Sequence, residues 1–168
     1  MPIDKTQLLS LLQAVDDNLP SKIRINAVGG TALTLLGIKS ATIDVDFDTT
    51  LADHHVLKKT INELNPGYRV DFFTNGLIFS QQLPDDYLQQ CTPITSKLKN
   101  IDLYSISPLD ILLSKTGRLN ERDIQDIKMV IEKFDIKPGQ VKKRAPKIGY
   151  VGAEAHYQQN LEYVLKLF

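Results

Sequence analysis

Two kinds of hydrophobic spacing alternate along the first hundred residues. Between residues 5 and 18, apolar residues recur at intervals of three and four, which predicts an amphipathic helix. From 22 to 28, apolar and polar residues alternate, and this is the period of a β-strand. The same alternation returns in "TIDVDFDT" (42–49) and "YRVDFFT" (68–74), with a helical segment between them. This order predicts a mixed sheet with helices.

Local signals mark where several helices begin. Asp4 and Gln7 have the spacing of a capping box, so the first helix should begin after Asp4. Asp53 is the expected N-cap of the helix that follows the second strand. Ser107 is the expected N-cap of a later helix, with Pro108 at the favoured first position.

The hydrophobic period becomes helical from Ser107 onward, and this change divides the chain. We expect an α/β lobe over residues 1–106 and a helical part over 107–168. Within the second part, "KPGQVKKRAPKIGYVG" (137–152) reads as a basic connection between helices. Its cationic side chains predict a solvated loop, with contact to the phosphates of an RNA as the alternative.

Composition narrows the function classes. Lys plus Arg and Asp plus Glu number 20 each, so no global basic field draws the protein onto nucleic acid. Cys91 is the only cysteine, which excludes an internal disulfide and fits a reducing compartment. No apolar run approaches the roughly 18 residues of a membrane span. We therefore expect a cytoplasmic protein without a membrane partner.

Two aspartates in the second predicted strand raise a chemical question. Asp44 and Asp46 are two residues apart, so on a strand they project to the same face, while Ile43, Val45 and Phe47 point to the core. Adjacent carboxylates repel, and a bound cation or a shared proton relieves the repulsion. Mg²⁺ accepts carboxylate and phosphate oxygens. A solvated strand face is the alternative.

A pair of glycines precedes these acids. Gly29 and Gly30 end the first strand and lead into a short helix, whose N-terminal N–H groups favour phosphate. By itself such a pair is usually a tight turn. A phosphate site and a paired-carboxylate site joined by one helix together indicate a nucleoside triphosphate with a metal ion.

These residues resemble a known family. Val28, Gly29 and Gly30, followed after a helix-length gap by Asp44, Val45, Asp46 and Phe47, resemble the signature of the DNA polymerase beta-type nucleotidyltransferase superfamily. Asp71 in "RVDFF" matches its third carboxylate. The segment "SPLDILLSKTGRLNERDIQDI" is similar to the helical region of small bacterial and archaeal nucleotidyltransferase-like proteins, including the abortive-infection toxin type. The resemblance extends from Ile23 to Ile131.

The resemblance implies an α/β nucleotidyltransferase fold and a reaction. A nucleoside monophosphate would pass from a nucleoside triphosphate to an acceptor, with two Mg²⁺ ions, or Mn²⁺, as cofactor and a toxin–antitoxin-like system as one setting. Its catalytic and metal-binding residues would be Asp44, Asp46 and Asp71. Its nucleotide-binding residues would be Gly29, Gly30, Thr31, Lys39, Lys115 and Arg118.

Several alternatives remain open. Lys115 and Arg118 face two competing roles, contact with the triphosphate or structural ion pairs with Asp123 or Asp126. The acceptor could be a protein hydroxyl, an RNA end or a small molecule. A non-catalytic interaction or regulatory protein that keeps the fold is the rival from another class, and a metal-dependent nuclease or phosphatase is a second rival.

Overall fold

A computed structural model describes residues 1–152 and 154–168. Contacts divide the chain into two compact units. The first unit consists of Met1–Asn75 and Cys91–Ile106, and the second of Gly76–Gln90 and Ser107–Phe168. Among the helices in this described part, none is both long and apolar enough to cross a membrane.

The secondary structure alternates between helices and short strands. Up to residue 75 the elements are β1 (Ile3–Asp4), α1 (Lys5–Asn18), β2 (Ile23–Ala27), α2 (Gly29–Leu35), β3 (Ala41–Thr42), β4 (Val45–Thr49), α3 (Leu51–Leu64) and β5 (Val70–Thr74). Next come β6 (Leu77–Ile78), β7 (Gln81–Gln82), α4 (Tyr87–Gln90), β8 (Thr92–Pro93) and β9 (Ile101–Ser105). The remainder holds α5 (Pro108–Thr116), α6 (Glu121–Phe134), α7 (Pro138–Arg144), a 3₁₀ turn (Ala145–Lys147), β10 (Gly149–Tyr150) and α8 (Glu154–Leu165).

The first unit contains the mixed sheet that the sequence predicts. Its strands lie in the order β5, β4, β2, β9, β8. Strand β2 is parallel to β9 and antiparallel to β4, while β4 is parallel to β5. The short strands β1 and β3 form a separate antiparallel pair. The expected fold class, a small mixed sheet with helices, is confirmed.

Alternation along the strands produces the core of the first unit. Ile23, Ile25 and Ala27 of β2 are buried, as are Val45 and Phe47 of β4. Helices α1 and α3 contact each other and contribute their apolar faces. Burial of each large aliphatic or aromatic side chain stabilises the fold by about 1.5–3 kcal/mol.

Two of the three expected helix starts are confirmed. The Asp4 carboxylate accepts from the Gln7 amide at 2.8 Å, and the Gln7 side chain accepts from the Asp4 amide at 3.0 Å. Ser107 Oγ accepts from the Asp110 amide at 3.0 Å and caps α5. The expected cap of α3 is wrong, because the Thr50 hydroxyl occupies the capping position.

In α3, Thr50 has an extended backbone and its hydroxyl accepts from the Asp53 amide at 3.1 Å. Asp53 is therefore the third residue of the helix instead of the residue before it. Its carboxylate lies in the first turn, where the helix dipole stabilises a negative charge. Both residues are good capping types, and the start of the helix at Leu51 decides between them.

Residues 76–90 differ from the expected continuous division at residue 106. They belong to the second unit, although they precede Cys91–Ile106 in sequence. Strand β7 pairs antiparallel with β6 and with β10, and Gln81 is opposite Tyr150. A strand pairing between residues almost 70 positions apart leaves no local signal in the sequence.

The basic segment expected to be a solvated loop contains a helix. Helix α7 begins with Pro138 at its first turn, and it buries Val141 and Arg144. The Arg144 guanidinium donates to both carboxylate oxygens of Asp110 at 2.9 and 2.8 Å, and to Asp86 at 2.8 Å. The hydrogen bond with Asp110 is the main cause that raises the pKa of Arg144. Only this tertiary pairing makes an arginine a core residue.

Candidate active site

Two of the candidate carboxylates are paired across neighbouring strands. Asp46 of β4 is the register partner of Asp71 of β5, and the two strands are parallel. Register partners on adjacent strands project to the same face of a sheet. Asp46 is almost fully buried, whereas the Asp71 side chain is 31% exposed. The sheet therefore brings together two acids that are 25 positions apart in sequence.

The third acid occupies a bend instead of the strand itself. Strand β4 begins at Val45, so Asp44 lies just before it and is exposed to solvent. Ile43 is 51% exposed, and the expectation that it points to the core is wrong. The Thr42 hydroxyl donates to the Asp44 carbonyl at 2.9 Å, and this local bond competes with a continuous strand. The chain leaves β3 and turns before it enters β4.

Thr31 fixes the backbone that carries the acids. Its side chain is fully buried, its hydroxyl accepts from the Asp46 amide at 2.9 Å, and the same hydroxyl donates to the Asp44 carbonyl at 3.2 Å. The Thr31 hydroxyl therefore uses both of its hydrogen-bonding functions within the protein, and the expected role of Thr31 in holding phosphate stays a prediction. Thr31 is a positioning residue for Asp44 and Asp46.

The glycine pair lies beside the start of β4. Gly29 and Gly30 are the first residues of α2 instead of a turn before it, and Gly29 has a φ of +55°, which favours glycine. The Val28 amide donates to the Asp46 carbonyl at 3.3 Å and ties this helix start to the acidic strand. The first N–H groups of a helix have no acceptor within it, so they are donors for an anion.

Gly30 is required for close packing. A Cβ at this position would lie 2.6 Å from the Thr42 hydroxyl oxygen. A serine at this position would therefore collide with Thr42.

Lys39 follows the short helix in the same unit. It is half-buried, and its amide donates to the Leu33 carbonyl at 3.2 Å in the turn that ends α2. The turn contains Gly37, whose φ of +76° allows the chain to reverse toward β3. The turn thus returns the chain to the segment that contains Asp44.

Arg69 is a site residue that the sequence interpretation missed. Its Nε donates to Asp71 Oδ1 at 2.9 Å, while its side chain is 77% exposed. This hydrogen bond is the main cause that raises the pKa of Arg69, and the negative charges of Asp71, Asp44 and Asp46 raise it further. All three candidate acids therefore act on one guanidinium. The signal was present, since Arg69 is two residues before Asp71 in an alternating segment.

A second polar network adjoins Asp46 on the sheet. Asp48 is two residues after Asp46 on β4 and is fully buried, and it accepts from the Asn26 amide group at 3.1 Å. Arg24 Nε donates to the side-chain oxygen Oδ1 of Asn26 at 2.9 Å, and the guanidinium lies 3.8 Å from the centre of the Tyr104 ring. The alternation "DVDFD" contained this residue, but without the fold nothing distinguished a buried Asp48 from a solvated one.

Asp44, Asp46 and Asp71 have the right chemistry to bind a divalent cation, but their side chains are not arranged around a common site. A set of carboxylate oxygens suits Mg²⁺, and the Arg69 guanidinium already supplies a positive charge among them. Within residues 1–152 and 154–168, however, no three His, Cys, Asp or Glu side chains are close enough to hold one ion. A shared ion therefore requires at least one of these side chains to move.

Lys115 and Arg118 form ion pairs within the second unit. Lys115 is only 3% exposed, and its ammonium lies 2.8 Å from Asp126 and 3.5 Å from Asp123. Arg118 donates through Nε and Nη2 to the two oxygens of Asp123, each at 2.8 Å. Of the two roles considered for Lys115 and Arg118, the structure shows the ion pairs with Asp123 and Asp126. The expected phosphate contact of Lys115 is wrong for this structure, because burial and two carboxylates remove its charge from ligands.

A comparison with protein families shows to which family the chain belongs. The chain matches a family model over residues 6–162, and that family is described as "Nucleotidyltransferase of unknown function (DUF6036)". The chain belongs to this family. The DUF6036 match includes every candidate residue from Gly29 to Arg118. The resemblance to nucleotidyltransferases is therefore confirmed at the level of the family.

Comparison with solved structures supports the fold of this DUF6036 protein. It is similar to an antigenic nucleotidyltransferase-like protein from Paracoccidioides brasiliensis, with a TM-score of 0.54 and 18% sequence identity. The alignment covers 99% of this chain and 95% of the other. At this identity the likeness shows the fold alone. No curated protein matches the DUF6036 chain.

Proposed function

We propose that the protein transfers a nucleoside monophosphate from a metal-bound nucleoside triphosphate to an acceptor hydroxyl, as a nucleotidyltransferase of the DNA polymerase beta type. The observation that carries the proposal is the register pairing of Asp46 with Asp71, beside the glycine pair of α2. Membership of a nucleotidyltransferase family supports it. Carboxylates and helix N–H groups together match the two halves of a metal–triphosphate.

Each acid has a proposed role. Asp44, Asp46 and Asp71 would hold the two Mg²⁺ ions that accompany the triphosphate. When bound, the metal ions would supply Lewis-acid stabilisation of the oxygens that enter and leave the α-phosphorus. Asp71 would accept the proton of the acceptor hydroxyl. The hydroxyl oxygen then bonds to the α-phosphorus, the α–β phosphoanhydride bond breaks, and pyrophosphate leaves.

We propose that the phosphate site consists of backbone amides and one lysine side chain. The amides of Gly29 and Gly30 at the start of α2 would donate to the β- and γ-phosphates, and the Lys39 ammonium would balance their charge. Gly30 packs closely against Thr42, so this position has no room for a side chain. Lys115 and Arg118 are not included, because their charges are paired with Asp123 and Asp126.

Binding and transfer measurements test this proposal. Titration calorimetry with each of the four ribonucleoside triphosphates and Mg²⁺ should show binding in the wild type and a loss of at least tenfold in Asp46→Asn. Asp17→Asn, which removes an exposed carboxylate from α1, is the matched control and should bind like the wild type. Release of pyrophosphate supports nucleotidyl transfer, whereas release of inorganic phosphate or cleavage of a nucleic acid supports the hydrolase alternative.

The acceptor and the biological setting are tested separately. Incubation with α-phosphate-labelled nucleotides and a cell extract shows whether a protein, an RNA or a small molecule acquires the label. Expression of the wild type and of Asp46→Asn in growing cells tests a toxin–antitoxin-like role. Growth arrest by the wild type alone supports that role, and equal growth opposes it.

One observation favours the non-catalytic alternative. In the described part of the chain the acids do not form a ready three-ligand site, and a guanidinium is placed among them. A protein that kept the fold for interaction or regulation would tolerate such an arrangement. Absence of metal-dependent nucleotide binding in the calorimetric titration would support this alternative against the enzyme.

A further inference from the structure

A small cleft lies between the end of α3 and strand β5 in the first unit. Its volume is about 130 Å³. An engineered apolar cavity of about 150 Å³ holds a single benzene molecule, so this cleft has the size of one small ring. Its apolar walls are the buried Ile61 of α3, the half-buried Pro66 in the turn, and Val70 and Phe72 of β5.

Three side chains that line the cleft can form hydrogen bonds. They are Asn62 of α3, Asn65 at the C-terminal cap of that helix, and Tyr68, which precedes β5. Within residues 1–152 and 154–168, none of these three side chains takes part in a hydrogen bond or an ion pair. Burial raises the pKa of Tyr68, so its hydroxyl stays protonated and can donate. Each amide presents a donor and an acceptor side by side.

The charge of the lining limits the class of ligand. All the described residues that line the cleft are uncharged. A phosphate group or a metal ion would therefore find no charged partner among them. A neutral ring with donors and acceptors on its edge suits both the apolar walls and the amides. Proteins recognise unpaired nucleobases in this way, by stacking on aromatic side chains and by hydrogen bonds to the edge of the base.

We propose that this cleft binds the base of an unphosphorylated nucleoside, at a site separate from the candidate acids. Val70 and Phe72 alternate with Asp71 along β5, so the cleft lies on the opposite face of the sheet from Asp71. The base would lie against the apolar walls with its edge toward Asn62 and Asn65. Both asparagines are exposed, so the ribose would remain in solvent. Binding at this site requires neither a metal ion nor a triphosphate.

Chemical-shift titration by NMR tests the proposal in a buffer that contains a metal chelator. The probes are adenosine, guanosine, cytidine and uridine, the matching 5′-monophosphates and a short single-stranded RNA. At least one nucleoside should produce saturable shifts of the amide signals of residues 61–65. Its monophosphate should bind no more tightly, because no cation lines the cleft in the described part of the chain.

Two variants remove the groups that would hold the base. Asn65 has a φ of +45°, which glycine adopts readily, so Asn65→Gly removes the amide and keeps the helix cap. It should weaken nucleoside binding about three- to tenfold, the effect of one hydrogen bond. Tyr68→Leu removes a ring and a hydroxyl together and should weaken it about tenfold or more. Tyr163→Leu, which removes an exposed tyrosine from α8 in the other unit, is the control and should match the wild type. Thermal unfolding first shows that each variant is folded.

The outcomes separate this inference from the proposed function. Asp46→Asn should keep the nucleoside affinity of the wild type, because Asp46 does not line the cleft. If Asp46→Asn loses the binding while Asn65→Gly and Tyr68→Leu keep it, the nucleoside binds beside the candidate acids and the cleft proposal is wrong. It is also wrong if no nucleoside gives saturable shifts, or if the monophosphate or the RNA binds about tenfold more tightly. Each of these results leaves the nucleotidyltransferase proposal standing.

Discussion

Thr31 and Asp46 are joined by a hydrogen bond in which the Asp46 amide donates to the Thr31 hydroxyl at 2.9 Å. The bond links the first turn of α2 to the start of β4, so the helix that carries the glycine pair and the strand that carries the acid have a fixed relation. Because both partners are buried, the bond contributes to stability as well as to the position of Asp46. Its two effects are separable by mutation.

Thr31→Val should destabilise the protein by about 1–3 kcal/mol, because the isosteric methyl leaves the buried Asp46 amide without this acceptor. Thr31→Ser keeps the hydroxyl and should cost about 1 kcal/mol through the lost methyl group. Urea unfolding measures both changes. Faster hydrogen exchange of the Asp46 amide in Thr31→Val, but not in Thr31→Ser, would assign the effect to this bond. Equal exchange in both variants would contradict it.

Gly30→Ala should destabilise the protein by about 1–2 kcal/mol, since the new Cβ meets Thr42 Oγ1 at 2.6 Å and overpacks the site. Gly139→Ala in α7 is the matched control, because nothing lies within 4 Å of its Cβ. That control should be stabilised by about 0.4–1 kcal/mol. A double-mutant cycle of Gly30→Ala with Thr42→Ala should show that the losses are not additive. Stabilisation by Gly30→Ala would mean that Thr42 rotates away without cost.

Asp44→Asn and Asp48→Asn should have opposite effects. Asp44 is exposed and faces like charges, so Asp44→Asn should leave the metal-free free energy of unfolding unchanged or slightly higher while Mg²⁺-dependent triphosphate binding is lost. Asp48 is buried and accepts from Asn26, so Asp48→Asn should cost about 1–3 kcal/mol in the same buffer. Thermal unfolding and calorimetric titration give both readings. Strong destabilisation by Asp44→Asn would indicate a structural role instead.

Lys115→Met should be among the most destabilising single changes. Loss of the ammonium leaves Asp126 and Asp123 buried without this cation, and breaking a buried pair costs about 3–5 kcal/mol. Lys137→Met is the control, because its ion pair with Asp135 is exposed and should be worth less than about 1 kcal/mol. Urea unfolding compares the two variants. Equal, small losses would show that Lys115 is not held by its ion pairs.

The acid stability of the second unit should depend on Asp123. Burial acts to raise the pKa of this carboxyl, but the hydrogen bond from Arg118 and the charges of Lys115 and Arg118 outweigh it, so the pKa lies below the ordinary 3.8. The stabilisation is then complete above pH 3.8 and is lost as the pH falls through the lower folded value. Unfolding measured in this acidic range should show a smaller pH dependence in Arg118→Gln than in the wild type. If Arg118→Gln and the wild type showed the same pH dependence of unfolding, Asp123 would not be the cause of that dependence.

The sequence alone determined those features that rest on neighbours within a few positions. The capping box of Asp4 and Gln7, the helix start at Ser107 and the alternation of β2 are all formed by short-range contacts, and the structure has them as predicted. The mixed sheet followed from the order of these periods. The nucleotidyltransferase family was recognisable because its motif depends on spacing within one strand–helix–strand unit.

Only the tertiary structure decided how side chains are used. The Thr31 hydroxyl is a chemical group that can bind phosphate, but in the fold it accepts a hydrogen bond from the Asp46 amide at the start of β4. Lys115 and Arg144 look like solvated or ligand-binding cations, yet helix packing buries each against aspartates that are 8 to 58 positions away. The free energy of a charged group depends on the dielectric and the partners around it. Those are set by contacts between distant segments, and the one-dimensional pattern does not contain them.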